Sequence, residues 1–538
     1  MPSGGARPRF GRGALVCRRG FSQRLPPGSP PSNHISFLWG DHRVQSIKRT
    51  SRRTTRAITA TVAAAILSMA AAGAAHAQSA YLNSILNARN DNDQPMQTAQ
   101  DQSQAPAGTA AQATTPAPDG FLFNLQVGKS IGQTLANQGI YIDGSYINIT
   151  GYNAGGGNQN GTYSDGDATL GINLDMNKIA GIQGAQIHFY IDDRQGPGWP
   201  KFSGVGTDNT FVFGPNDAFR LTELDWDQSL LNDHVRILVG RINDLGDFDT
   251  FDFACQFVDY TCANTSFFYL NDSNSADPVS AWGGRITFKP TLQTYFRIAA
   301  EASDGDGFYN RSNEGWNLSL THDNGVFLPV EIGYKTDFSS SSYPSQYDIG
   351  GFYDSGNYSA TLFAKDAVTQ ALVSSTYSDS VPREGFWAQA AQMVYRPDMN
   401  SKRGITLFGE VEAMATGQAP IQDEIDAGMV WRGPIAARPN DSLNLIAEYY
   451  KFSNQVYSTI GTPIGQIHQS KDMTALQATY NFVPAPGLVI APFYEYFINP
   501  DMDGMVTSNR LKSASEVGGM LQVILPDLLG LPTLARVN

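Results

Sequence analysis

From Phe121 to the end of the chain, apolar and polar residues alternate in one short stretch after another, with no long amphipathic helix between them. "GGRITFKPTLQTYFRIAAEA", Gly283 to Ala302, is representative. Ile286 and Phe288 alternate with Arg285, Thr287 and Lys289. After a turn at Pro290–Gln293, Phe296, Ile298 and Ala300 alternate with Tyr295, Arg297 and Glu301. A period of two with unlike faces is the pattern of a half-buried strand. The same pattern recurs in "IYIDGSYINITGY", "AQIHFYID", "FRLTELDWDQ", "HVRILVGRI", "WNLSLTHD", "YDIGGFYDSG", "YSATLFAKD", "ITLFGEVEAMA", "LNLIAEYYKF" and "LVIAPFYEYF". Counting all such runs gives roughly 16 to 18 strands.

The apolar face must touch either a dry core or lipid. Short connectors (Lys178–Gly184, Ser229–Asp233, Asn324–Leu328) alternate with long ones rich in Gly, Asn, Asp and Ser (Asn153–Asp167, Gln195–Asn216, Asp244–Pro278). Membrane barrels are built this way, with periplasmic turns at one end and extracellular loops at the other. Many strands carry small residues on one face, which could not jointly fill a core at close-packed density. The 23 Tyr and 29 Phe cluster near strand ends, as an interfacial girdle does. So much uninterrupted strand exceeds one sandwich, whereas a closed barrel uses it and leaves no edge. The fold expected for residues 121–538 is therefore all-β: a transmembrane antiparallel β-barrel of about 16 strands in a bacterial outer membrane. Beyond residue 77 no apolar run is long enough for a transmembrane helix.

The N-terminal residues support export. Lys48, Arg49, Arg52, Arg53 and Arg56 precede an Ala-rich apolar run from Ala57 to Ala72, which closes on Ala75-His76-Ala77. This reads as a signal peptide cleaved after Ala77, and the run is short for the alternative, a membrane anchor. Residues 1–46 are rich in Arg, Pro and Gly and lie outside any signal-peptide pattern, so translation is expected to start further on, near Val44. Residues 78–120 form a polar Gln/Ala/Pro-rich segment, expected to be a disordered periplasmic linker. A short helix at Tyr81–Asn90 would make cell-wall contact the alternative role for that segment.

Charge and motif content exclude several functions. Residues 1–77 hold 12 of the 37 Lys and Arg but one of the 50 Asp and Glu, leaving the mature chain at about −24. Nucleic-acid binding needs clustered Lys and Arg and is not expected. The same balance disfavours a pore built to attract anions. Only His188, His234, His322 and His468 survive cleavage, none at ligand spacing, so no metal site is expected. "DNDQ" and "DGDG" (Asp304–Gly307) do not continue into a calcium loop. No G-x-S-x-G, H-E-x-x-H or Walker motif occurs, and no carboxylate pair is singled out, so no catalytic residue and no cofactor are expected. Cys255 and Cys262, in "CQFVDYTC", lie in a long loop of an exported chain and are expected to form a disulfide, while Cys17 falls in the cleaved segment.

Four blocks in order, over roughly residues 130–525, resemble the carbohydrate-selective porins of the OprB family. "IGQTLANQGIYIDGSYINITGYNAGG" is similar to the family's first strand and Gly-rich loop. "RLTELDWDQSLLNDHVRILVGRINDLGDF", Arg220 to Phe248, resembles its Arg-x-x-Glu strand, short turn and "VG" strand. "GVFLPVEIGY" with "YDIGGFYDSGNY" matches the middle, and "GLVIAPFYEYFINP" the late strand ending on Asn-Pro. The chain departs from the usual barrel ending: "LPTLARVN" lacks a terminal aromatic, so "GGMLQVILPDLL" must supply the last strand or closure must differ.

The resemblance implies passive diffusion of mono- or small oligosaccharides through a water-filled pore. Arg220, Glu223 and Arg241 are candidate constriction residues by this resemblance, and Asp247 follows Arg241. Arg285, Arg297 and Glu301 are candidates by alternation alone. Arg and carboxylates hydrogen-bond sugar hydroxyls while aromatics stack on ring faces. The expected partners are small sugars and outer-membrane lipid, with a homo-oligomer left open. A general diffusion porin without sugar preference is the alternative, and a secreted or barrel-embedded hydrolase a more distant one.

Overall fold

The computed structural model describes residues 126–196, 218–243, 247–258, 265–271, 278–303, 314–318, 325–365, 372–379, 381–416, 419, 421–452, 471–500 and 511–534. The expected signal peptide, the linker and Cys262 lie outside the described residues. The strands are β1 (Ile140–Gly157), β2 (Gly161–Asp175), β3 (Ala185–Gln195), β4 (Ala218–Leu230), β5 (Val235–Ile242) and β6 (Ala281–Phe288). Next come β7 (Thr294–Ser303), β8 (Gly325–Lys335), β9 (Ser345–Asp354), β10 (Tyr358–Lys365), β11 (Leu372–Asp379) and β12 (Arg383–Tyr395). The series ends with β13 (Gly404–Thr416), β14 (Ile421–Arg432), β15 (Ser442–Phe452), β16 (Asp472–Ala485), β17 (Leu488–Ile498) and β18 (Lys512–Ile524). Short helices are α1 (Lys129–Asn137), α2 (Met176–Ala180), α3 (Ser266–Asn271) and α4 (Leu525–Leu529).

Sixteen of these strands close into one antiparallel barrel, each pairing with its neighbours in sequence and β18 pairing back onto β1 from Ser145↔Ile524 to Gly157↔Lys512. The last strand is therefore Lys512–Ile524, followed by a short helical tail, which resolves how the chain closes without a terminal aromatic. β10 and β11 pair only with each other, and β9 pairs directly with β12. "YSATLFAKD" is thus one strand of a two-stranded sheet separate from the barrel wall, because alternation is equally a property of a free hairpin. Two connector expectations are corrected as well. Asn153–Asp167 is mostly strand, since β1 and β2 stay paired up to Asn153↔Gly161. Asn324–Leu328 is not a short turn, because Gly325 already opens β8.

Side-chain exposure follows the two-residue period. Ile286 and Phe288 are 50% and 48% exposed while Arg285 between them is 3% exposed. Across the turn, Phe296 and Ile298 point outward and Tyr295 and Glu301 are buried inside. The apolar face meets lipid and the charged face meets the lumen. Small residues inside the wall have a specific use. The rings of Trp387, Tyr295 and Tyr190 lie flat over Gly350, Gly333 and Gly171 on the neighbouring strand, where any Cβ would collide with them. A glycine beside a cross-strand aromatic removes steric conflict and lets the ring cover exposed backbone.

At the short-turn end, the two ends of the described chain meet: Ala136 and Tyr141 pack with Leu534. Nearby, the β14–β15 turn is held by Asp441. Its carboxylate accepts from Arg438 Nε at 2.5 Å, Tyr480 Oη at 2.8 Å and Val483 N at 3.0 Å. Burial would lift this carboxyl, but the Arg438 guanidinium, the Val483 N–H and the Tyr480 hydroxyl outweigh burial and hold it below the usual carboxylate range. A lowered folded-state pKa stabilises the protein above the ordinary value and loses that contribution as pH falls through the folded one. Asp441→Asn is expected to destabilise the barrel by about 1–2 kcal/mol at neutral pH. In heat-modifiability gels the difference from wild type should disappear as pH falls below about 4.

Candidate pore constriction

The β5–β6 connection, Asn243 to Ser280, carries far more aromatic residues than a solvent-exposed loop can hold. Phe248, Phe251, Phe257, Phe267 and Phe268 are all fully buried. Burial of each such ring contributes about 1.5–3 kcal/mol, enough to draw the segment inside the barrel. Phe251, Phe253 and Phe257 surround Phe408 of β13, with centroids 5.6, 4.8 and 5.7 Å away. Phe268 stands edge-on to Trp387 of β12 at 5.1 Å and packs on Phe352 of β9.

Polar contacts fix what the rings position. Gln256 accepts from Ser442 Oγ at 3.0 Å and Asn481 Nδ2 at 2.8 Å, and Asn444 Nδ2 donates to its backbone oxygen at 3.3 Å. Val258 N donates to Gln477 Oε1 at 3.0 Å. Asn271 reads the backbone of Ile421 through both ends of its amide, at 2.8 and 3.0 Å. Cys255 is buried and disulfide-bonded. The loop thus crosses the lumen from β5–β6 and fastens to the wall of β8–β16.

The wall of β2–β8 presents charges instead. Arg236 grips Asp227 with Nε at 2.8 Å and Nη2 at 2.5 Å. Arg194 meets Asp167 at 2.8 Å, and His188 Nδ1 lies 2.8 Å from Asp225. Where the loop begins, Arg285 forms an ion pair with the Asp247 carboxylate, and Arg297 donates to the Asp247 backbone oxygen. The Arg297 guanidinium lies 4.3 Å over the Tyr295 ring and 5.7 Å from the Phe248 centroid, with Nε 3.5 Å from Glu331.

Three of the candidates read from sequence, Asp247, Arg285 and Arg297, are therefore in contact. Glu301 lies on the same inward face of β7 as Arg297, and its side chain folds against Gly283. Its ladder row runs Asp225↔Gly240↔Gly283↔Glu301, so two glycines separate two inward carboxylates. Arg220 and Glu223 are three apart, a spacing that puts side chains on opposite faces of a regular strand. Both are buried on the inner face because the β3–β4 register slips between Tyr190↔Glu223 and Ile191↔Leu221, leaving Thr222 as a bulge. Arg241 does not join the group. It is paired with Leu224 and Trp282 on the outward parity of Val239, and its guanidinium bonds Ser280 Oγ at 3.1 Å and Ser280 O at 2.6 Å.

Sequence reading passed over Asp225, Asp227, Arg236 and Glu331, although "TELDWD" and "VEIGY" carry the inward period of two. The loop's depth is not set by alternation either. The signal was "FDTFDFACQF", an aromatic run where a loop was expected.

A closed barrel with a charged lumen and one long loop packed inside it defines an outer-membrane porin. The chain belongs to the carbohydrate-selective porin family, OprB, whose family model matches residues 159–523. Porin B of Pseudomonas aeruginosa is 24% identical over 339 residues, covering 61% of this chain and 69% of that protein. The high-pH structure of Pseudomonas putida OprB shares the fold, with a TM-score of 0.61 and 21% identity, covering 73% of this chain and 96% of that one. The chain is a sugar porin of the bacterial outer membrane.

Gln256→Ala removes the side-chain oxygen that accepts from Ser442 on β15 and Asn481 on β16, so it is expected to loosen the loop by about 1–3 kcal/mol. Hydrogen exchange of residues 253–258 should accelerate while the strand amides keep their protection.

Proposed function

We propose that monosaccharides and small oligosaccharides cross this barrel passively, past a constriction whose contact residues are Arg220, Glu223, Asp247, Arg285, Arg297 and Glu301. The carrying observation is the cluster at the start of the loop, where Arg297 stands on Tyr295 beside Phe248, Asp247 and Glu331. It offers hydrogen-bond donors, acceptors and aromatic faces in one place, the combination a neutral polyol requires. Ion pairing of Arg with Asp and Glu dampens the local field, which favours neutral solutes over ions. No bond is made or broken in this reading, and solute leaves as it entered.

The reading extends to assembly and export. Asn148, Thr150 and Ser164 form a hydrogen-bonded polar group on the outer face of β1–β2, and Asn148 is paired with the outward Leu521. Lipid gives such groups no partner, which supports a second copy of the chain against this face. Within the N-terminal 77 residues, the stretch from Lys48 to Ala77 serves as the signal peptide, and 78–120 serve as a periplasmic tether, so mature protein should begin at Gln78 on N-terminal sequencing.

Single-channel recording in planar bilayers, with glucose titrated against chloride current, tests the transport reading. Saturable block by glucose is expected, weakened about tenfold by Arg297→Ala, the equivalent of one hydrogen bond to a charged group. Conductance steps indifferent to sugar would assign a general diffusion pore instead, and a folded barrel without steps would overturn the channel reading.

A further inference from the structure

The loop meets the β13–β14 wall at a concentration of carboxylates. Asp249 is fully buried and holds φ at +50°, a left-handed conformation that non-glycine residues rarely adopt. Its N–H is anchored to Glu331 Oε2 at 2.9 Å. Neither of its carboxylate oxygens has a hydrogen-bond partner. Glu410 and Glu412 of β13 face it, and one oxygen from each of the three lies within 4.8 Å of the others. Glu412 belongs to a second such group with Glu424 and Asp426 of β14. One Glu412 oxygen accepts from Thr265 on the returning leg of the loop, and its other oxygen is buried with no hydrogen-bond partner.

The segments that carry these residues hold no cationic side chain. Asn243–Ser280 contains seven Asp and no Lys or Arg, and neither Phe408–Met414 nor Glu424–Val430 contains a Lys or Arg. Glu410↔Asp426 and Glu412↔Glu424 are direct cross-strand pairs, a juxtaposition of like charges that destabilises a sheet. Buried charge persists in proteins when it is paired or when it coordinates a metal. The donor set is all oxygen and all anionic, contributed by a loop and two strands. It suits a hard divalent ion taking about six to eight oxygens with loose geometry, and it offers neither the nitrogen nor the sulfur that zinc sites favour.

We propose that Asp249, Glu410 and Glu412 bind a divalent cation of the calcium class, which fastens the constriction loop to the barrel wall. Glu424 and Asp426 add negative charge at the inner side of the site. Neither the spacing of the histidines nor the acidic turns of the sequence point to this site, because the loop brings Asp249 to β13 from far away in the chain. The inference concerns loop anchorage and does not depend on which solute permeates.

Protein purified from outer membranes in detergent, stripped with EDTA and titrated with CaCl2 by calorimetry, is expected to take up calcium at one saturable site. Asp249→Asn should weaken that uptake about tenfold or more. Asp398→Asn, at an exposed turn, should leave it unchanged. In bilayers, EGTA should shift the single-channel conductance of wild type and not of Asp249→Asn. If Asp249→Asn fails to fold, as judged by heat-modifiability, Glu412→Gln serves the same comparison. Stripped, folded wild type with no saturable calcium uptake, or uptake undiminished in both variants, would overturn the proposal and leave protons as the neutralising charge.

Discussion

Closure of the sheet is the constraint on which everything else in this molecule depends. In hydrocarbon no water is available to an unpaired N–H or C=O, so a sheet survives there only when its first and last strands pair. The β1–β18 seam meets that demand over most of both strands. Closure in turn fixes parity: one face of each strand belongs to lipid and the other to water. It also fixes width. Sixteen strands enclose more space than wall side chains can fill, so the barrel is open unless something is folded into it.

The loop between β5 and β6 answers that excess of space, and its two sides do different work. Its phenylalanines dock on β8, β9, β12 and β13, where inward aromatics meet them. Its leading edge, at Asp247, meets Arg285 and Arg297 of the adjoining strands β6 and β7. Hydrophobic burial thus supplies the attachment, while charge-assisted hydrogen bonds shape the passage. The division is physically economical, because the apolar contacts are non-directional and strong in sum, whereas the polar ones are directional and able to exchange partners with a passing hydroxyl.

Much of this was legible in the sequence, and the failures have identifiable causes. Period-two alternation carried the class, the strand number and the orientation of the β6–β7 hairpin, because lipid and water impose opposite chemistry on adjacent residues. It could not separate β10 and β11 from the wall, since the pairing partner is not written in a strand's own pattern. At Asn153–Asp167 the Gly-rich sequence signals a loop, yet β1 and β2 stay paired up to Asn153↔Gly161, because glycine marks a turn only where the backbone needs one. Arg220 and Glu223 stand at a spacing that separates their faces on a regular strand, and a bulge at Thr222, with no signature of its own in the sequence, brings them to one face. For Arg241 the alternation and the family resemblance point to opposite faces. Counting from Val239 puts it on the outer parity.

The lumen also shows two ways of managing buried acids in one barrel. On β2–β6, Asp167, Asp227 and the loop's Asp247 face Arg194, Arg236 and Arg285, and Asp225 hydrogen-bonds the His188 ring, so each acid meets a side chain of the adjoining wall. On β13–β14 the ladder sets Glu410 against Asp426 and Glu412 against Glu424, and the loop then adds Asp249 rather than a cation. Side-chain ion pairs suit a surface that solute must brush past, because an Arg can release a carboxylate and bind a hydroxyl without leaving either charge stranded. A carboxylate cluster sealed behind the loop has no solute to serve. Its acids contribute to the pore only through what they hold in place, and the element they hold is the loop that sets its width.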